Sequence, residues 1–314
     1  MGETRRSRGT ETLVAKGADN RDSPFPRLPQ MRVPPRTRTL GGFAARPMPR
    51  SFFRSLLFSS TLALLPLPFV VADDWPQWRG PQRDGVWRET GIIKAFASAE
   101  LKPVWTAQVS AGYSGPTVAG DRVYLTDKVK APEQQERVLC FDRKTGRSLW
   151  THAYRCVYQD IDYAIGPRAA VTVADGRAFT LGAMGHAHGL DANTGKVLWS
   201  RNLAEEYQAK INTWGVTSAP LVVGDLAIFQ IGGQPDACLV ALDVDSGAEK
   251  WRALESRASY SAPRLVRLGD RDVVLAWTAQ WLAALDPKTG KVLWKEGYRR
   301  VDDTNDEPLQ DGSI

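Results

Sequence analysis

Cysteine is scarce in this chain. Its 314 residues contain three, Cys140, Cys156 and Cys238. Three permit one disulfide with one thiol left over in an oxidising compartment, and they exclude a fold built on disulfides. No two are adjacent, and no Cys-x-x-Cys-His segment offers covalent haem attachment. There are only three histidines, and no Walker loop, nucleophile elbow or zinc-ligand spacing. The core must therefore come from packing.

An excess of one charge is also missing from most of the chain. The formal net charge is +6, but residues 1–72 hold 12 Lys/Arg against 4 Asp/Glu, leaving 29 against 31 for residues 73–314. A nucleic-acid-binding domain carries its positive charge on its folded face, so nucleic acid is not an expected partner. The apolar run after Ser55 is broken by Pro66 and Pro68 and falls short of the ~18 uninterrupted apolar residues that a membrane span needs. Arg50 and Arg54 precede this run, and Val70-Val71-Ala72 ends it with small residues. Residues 48–72 thus read as a secretory signal peptide cleaved after Ala72, with export to the periplasm or exterior and no span remaining. Residues 1–47 are rich in Arg and Pro. They are expected to be disordered, or to precede a true start at Met48.

What the chain has in quantity is glycine (27), proline (20) and tryptophan (11), the composition of a turn-rich β protein. Four segments repeat: FDRKTGRSLW (141–150), LDANTGKVLW (190–199), LDVDSGAEKW (242–251) and LDPKTGKVLW (285–294). Each places Gly four residues after Asp and Trp four residues after Gly. The quartets are Asp142, Asp191, Asp243 and Asp286; Gly146, Gly195, Gly247 and Gly290; Trp150, Trp199, Trp251 and Trp294. The Trp spacings of 49, 52 and 43 residues suit a repeated supersecondary unit. In the third repeat the runs 221–223, 226–231, 237–242 and 249–253 are broken by Gly-Asp, Gly-Gly and Asp-Ser-Gly. That pattern predicts four antiparallel strands per unit, an all-β propeller blade. Asp can bond its own following backbone N–H groups and open a turn. Gly closes it where φ is positive, and Trp stands on the outermost strand to pack on the neighbouring blade. A small residue lies two before each Asp (Cys140, Gly189, Ala241, Ala284), marking a crowded inner position and making Cys140 a small core residue.

The D-x-x-T-G-x-x-x-W element resembles the tryptophan-docking motif of pyrroloquinoline-quinone (PQQ)-type β-propellers. DWPQWRGPQRDGVW (74–87) and GPRAAVTVADGRAFTLGAMGH (166–186) are similar to segments of secreted PQQ-like repeat proteins of planctomycete-type bacteria. The resemblance covers about residues 74–298. It implies a ring of seven or eight blades, of which four are visible over 104–298, and it is shared by quinoprotein dehydrogenases and a non-catalytic outer-membrane assembly propeller. Fold alone does not choose between them. Residues 104–109 (VWTAQV) look like an outermost strand without its own Asp and Gly, and 299–314 like the start of a further connection; a truncated fragment is the expectation. Residues 73–103, with Trp75, Trp78 and Trp87, are expected to plug against the propeller's flank.

Propeller function sits on loops around the axis. One connection carries Asp160, Asp162, Tyr163 and Arg168; the next carries Lys210, Asn212, Trp214 and Thr217. Trp214 with Arg168 could hold a planar cofactor, and carboxylates with the Asn212 oxygen suit Ca²⁺. PQQ with Ca²⁺ is thus conceivable in a complete ring, although the adjacent cysteines of quinoprotein alcohol dehydrogenases are missing. His186 and His188 alternate on one strand and offer two ligands at most. No catalytic residue can be nominated. The expected function is a secreted binding or scaffold module of unknown partner, the alternative a periplasmic PQQ/Ca-dependent oxidoreductase.

Overall fold

The computed structural model describes residues 73–96 and 101–297; the expected signal peptide, the segment before it and residues 299–314 lie outside the described residues. Four sheets of four antiparallel strands follow one another, each with its strands in chain order. The first holds β1 (Thr117–Ala119), β2 (Arg122–Val129), β3 (Gln135–Asp142) and β4 (Ser148–Arg155). The second holds β5 (Thr172–Ala174), β6 (Arg177–Leu181), β7 (His186–Asp191) and β8 (Val197–Asn202), followed by a four-residue helix α1 (Leu203–Glu206). The third holds β9 (Leu221–Val223), β10 (Leu226–Gly233), β11 (Ala237–Asp243) and β12 (Glu249–Ala253). The fourth holds β13 (Arg264–Leu268), β14 (Arg271–Trp277), β15 (Trp281–Leu285) and β16 (Val292–Gly297). The first strands are neighbours in space, β1 beside β5, β5 beside β9 and β9 beside β13, so they line an axis and the tryptophan strands lie outermost.

Each repeat motif builds the same corner. Asp142 Oδ1 accepts hydrogen bonds from the backbone N–H of Lys144 and Thr145 and from the Thr145 hydroxyl at 3.1, 2.8 and 2.7 Å. Asp191, Asp243 and Asp286 do the same at their turns. The Gly closing each turn has φ between +68° and +72°, a region that a side chain strains. The indole of one blade then lies over the glycine turn of the next. A Cβ on Gly247 would fall 2.6 Å from Trp199, and one on Gly290 2.5 Å from Trp251. Each indole also donates to the carbonyl following the next blade's Asp: Trp150 to Ala192 at 3.1 Å, Trp199 to Val244 at 3.0 Å and Trp251 to Pro287 at 3.1 Å. The small residue two before each Asp pairs directly with its own blade's Trp across the β-ladder. At Gly189 a Cβ would sit 2.4 Å from the Trp199 ring, which is why the position stays small.

Two expectations are corrected. Residues 104–109 form no strand among the described residues, and Val104 is almost fully exposed. An outermost strand needs a third strand beside it, and among the described residues none lies beside this stretch. Only the indole contact survives: Trp105 covers Gly146 and donates to the Arg143 carbonyl at 2.8 Å. Cys140 is the small core residue that the sequence implied, and the disulfide that three cysteines permit is not formed: all three are buried thiols, and burial pushes Cys140 and Cys238 up to about 12. The N-terminal segment does not plug the flank. It runs along the axial strands, pairing Trp75 with Val118 of β1 and giving the Pro76 carbonyl to Val173 N of β5 at 2.8 Å. Strand edges without partners leave backbone groups unpaired, and the short first strands offer such an edge. Trp78 and Trp87 remain exposed.

Candidate functional site

The connection from each outermost strand back to the axis ends in a four-residue lead: Tyr113-Ser-Gly-Pro, Arg168-Ala-Ala-Val, Thr217-Ser-Ala-Pro and Tyr260-Ser-Ala-Pro. Tyr113, Arg168, Thr217 and Tyr260 are therefore equivalent positions in successive blades, brought to one end of the axis. Tyr113, Tyr163, Arg168, Trp214 and Thr217 line a shallow cleft of about 450 Å³. Trp214 stacks on Tyr260 with centroids 5.0 Å apart and planes 23° apart, and the Tyr260 hydroxyl accepts from Trp214 N at 3.2 Å. Tyr113, Tyr163 and Trp214 are each exposed by two fifths or more. The Arg168 guanidinium lies 5.3 Å from the Tyr113 ring centroid, within cation–π reach. It also donates to the carbonyls of Gly166, Asp162 and Tyr163, each at 2.8 Å, so much of its donor capacity is used in holding its own loop.

Of the three residues nominated from the sequence, Arg168 and Trp214 meet in this cleft and Asn212 does not. Asn212 is buried, its amide N–H donating to the Ala258 carbonyl at 2.9 Å and its oxygen accepting from Arg257 at 2.9 Å. It ties one connection to the next. Asp160 and Lys210 fall in a separate cleft of about 500 Å³ with Gln159, Thr213 and Arg257. Asp162 gives its backbone N–H to the Thr213 carbonyl at 2.7 Å. Sequence reasoning missed Tyr113 and Tyr260, which the aligned Tyr-Ser-(Gly/Ala)-Pro leads could have shown.

His186 and His188 face the junction of the first two blades rather than the axis. There Glu136, buried on β3, accepts hydrogen bonds from the Tyr154 and Tyr158 hydroxyls and, at 3.0 Å, from Ala183 N of the next blade. The three histidines of the chain gather against Tyr154: His188 lies 4.2 Å and His186 5.5 Å from it, and His152 meets His188 edge to face at 4.9 Å. Burial, helped by His152 and His186 beside it, drives His188 down to about 3, so it stays neutral at any physiological pH. Among the described residues no group of three or more His, Cys, Asp or Glu is placed to hold a metal ion. The cluster is inter-blade packing.

The chain is 27% identical to a polyvinylalcohol dehydrogenase of Pseudomonas sp., over 72% of this chain and 36% of that protein. It is 27% identical to a polyvinylalcohol dehydrogenase of Sphingopyxis sp. (strain 113P3), over 60% of this chain and 29% of that protein. The chain thus spans about a third of the length of these relatives. Among solved structures, quinohemoprotein alcohol dehydrogenase from Comamonas testosteroni shares the fold, with a TM-score of 0.51 and 18% identity over 71% of this chain and 41% of that one. Residues 88–152 and 134–313 match the family described as outer membrane protein assembly factor BamB. The four-sheet architecture is that of a β-propeller, and the chain belongs to this PQQ-like repeat family.

Proposed function

We propose that the protein is an exported binding propeller whose axial face receives a ligand with a flat or CH-rich surface against Trp214, Tyr163 and Tyr113. The observation that carries this reading is the exposed aromatic cleft in which the equivalent positions Tyr113, Arg168 and Thr217 meet Tyr163 and Trp214. Large aromatic faces that stay exposed beside a cation suit binding more than packing. Export rests on the apolar, small-ended segment before residue 73. Among the described residues no helix is long and apolar enough to cross a membrane.

A quinoprotein oxidoreductase is the second reading; the names of both curated relatives, polyvinylalcohol dehydrogenases, favour its oxidoreductase part. Its implied cofactor, a calcium-held quinone, does not fit the residues described. The aromatic surface is present, but Asn212 is consumed by Ala258 and Arg257. Asp160 and Asp162 join no ligand group, and Arg168 is occupied by three backbone carbonyls. The aromatic faces alone would give a quinone ring a surface to stack on, without the free guanidinium that would hold its acidic rim or the carboxylates that would hold the calcium.

Titration of the purified protein with PQQ and Ca²⁺, followed by dye-linked oxidation of polyvinyl alcohol, separates the two. No cofactor absorbance band and no dye reduction are expected. A band with alcohol-dependent dye reduction, lost in Trp214→Ala, would replace the binding reading by the oxidoreductase.

A further inference from the structure

Arg83, in the segment that crosses the axial strands, is 3% exposed. Its guanidinium donates to the Pro220 carbonyl at 2.7 Å, the Ala219 carbonyl at 3.0 Å and Gln77 Oε1 at 3.1 Å. All three acceptors are neutral. Its Nε is buried with no partner, and no described carboxylate forms an ion pair with it. A buried cation without a counter-charge is costly, so this placement asks what balances it.

A second arginine makes the question sharper, because it too is a cation. Burial and the charge of Arg264 together lower Arg83 to about 10. Arg264 opens β13, following Tyr260-Ser-Ala-Pro. The equivalent positions of the first three blades are Thr117, Thr172 and Leu221, all buried and uncharged. Thr117 and Thr172 use their hydroxyls to bond the carbonyl just before the next blade's first strand, at Val171 and Pro220. The fourth blade breaks this pattern with a half-buried arginine whose side chain makes no hydrogen bond or ion pair among the described residues, its Nε also buried and unpartnered. Arg83 is bonded to the carbonyls that lead into β9, and Arg264 opens the neighbouring strand β13, so two arginines with unused donors belong to adjacent first strands and no described acid pairs with either.

We infer that Arg83 and Arg264 form an anion site on the axial side of β9 and β13, taking a small oxyanion, carboxylate or phosphate. Guanidinium donors match the two oxygens of either group. Arg83 supplies a fixed, desolvated charge, and Arg264 supplies the accessible one. The site is distinct from the aromatic cleft, since neither arginine lines it, and the inference holds whichever function is correct.

Arg83 also holds the N-terminal segment to the third blade, so its removal would confound folding with binding. Arg264→Gln is the informative variant. Isothermal titration of the purified protein with succinate and, separately, inorganic phosphate, at constant ionic strength, tells the two sources apart. One of them should bind the unaltered protein, and Arg264→Gln should weaken it about tenfold or more, with Arg264→Lys recovering part of the loss. The ion-free melting midpoint of Arg264→Gln should equal or exceed that of the parent, because a cation–cation repulsion is gone. Binding of neither probe would overturn the inference. Equal binding by parent and Arg264→Gln would mean an adventitious ion only, and a lowered ion-free midpoint would assign Arg264 a purely structural part.

Discussion

At Trp199 one side chain carries a whole blade junction. Its ring covers the Gly247 turn, its Nε1 donates to the Val244 carbonyl at 3.0 Å, and Phe229 meets it edge-on with centroids 6.1 Å apart. The residue is 6% exposed, whereas Trp87 in the N-terminal segment is 61% exposed. Trp199→Ala removes a large buried aromatic and orphans a carbonyl, so it should cost about 3–5 kcal/mol. Trp87→Ala removes little buried area and should stay within about 0.5 kcal/mol. Urea unfolding of the two variants checks the pair; equal losses would contradict the junction. These tryptophans were legible because the motif's chemistry is local: Asp, Gly and Trp each answer a need within ten residues of chain. Asn212 was not, because residue type does not reveal which way an amide points. Only the fold shows that Ala258 and Arg257 claim it.

At the scale of the element, the four Asp-opened turns share a titration as well as a shape. Thr145, Thr194 and Thr289 bond the carboxylates of Asp142, Asp191 and Asp286 through hydroxyl and backbone N–H and hold them below the usual carboxylate range. The backbone N–H of Ser246, then its hydroxyl and Lys250, hold Asp243 lower still. A depressed folded value means that the bonds stabilise the protein above the unfolded value of about 3.9 and are lost as pH falls through the folded one. The melting midpoint should therefore be flat near neutral pH and fall below about pH 4. Asp243→Asn should lower the midpoint at pH 6 and flatten the acid limb, and an unchanged limb would show that this turn does not couple to folding. The turns and most strand boundaries could be read from the sequence, since Gly-Asp and Asp-x-x-Gly signals bracket them. Residues 104–109 could not, because a strand exists only where a partner strand lies beside it. The apolar pattern of VWTAQV says nothing about that partner.

Across the whole molecule the blades are joined in series, each indole seated on the turn of the blade that follows. Trp105 seats on the first blade's Gly146, and Trp150, Trp199 and Trp251 on the next three turns. Trp294 ends the series on β16, 43% exposed, and no described turn covers it. The fourth blade therefore presents an exposed indole on its outermost strand β16, which no described strand flanks on its far side. Such edges recruit further strands or a second copy. Sedimentation velocity of the purified chain should show concentration-dependent self-association. Trp294→Lys should reduce it while shifting the melting midpoint little, because that indole supports no junction among the described residues. The same substitution at Trp251, which is 6% exposed and bonded to the Pro287 carbonyl, should instead unfold the fourth blade from the third. A parent protein that stays monomeric at every concentration, or a Trp294→Lys variant that associates as strongly, would place the adhesive surface elsewhere. The contrast between two tryptophans of identical motif rests on one structural difference: whether a glycine turn lies beneath the ring.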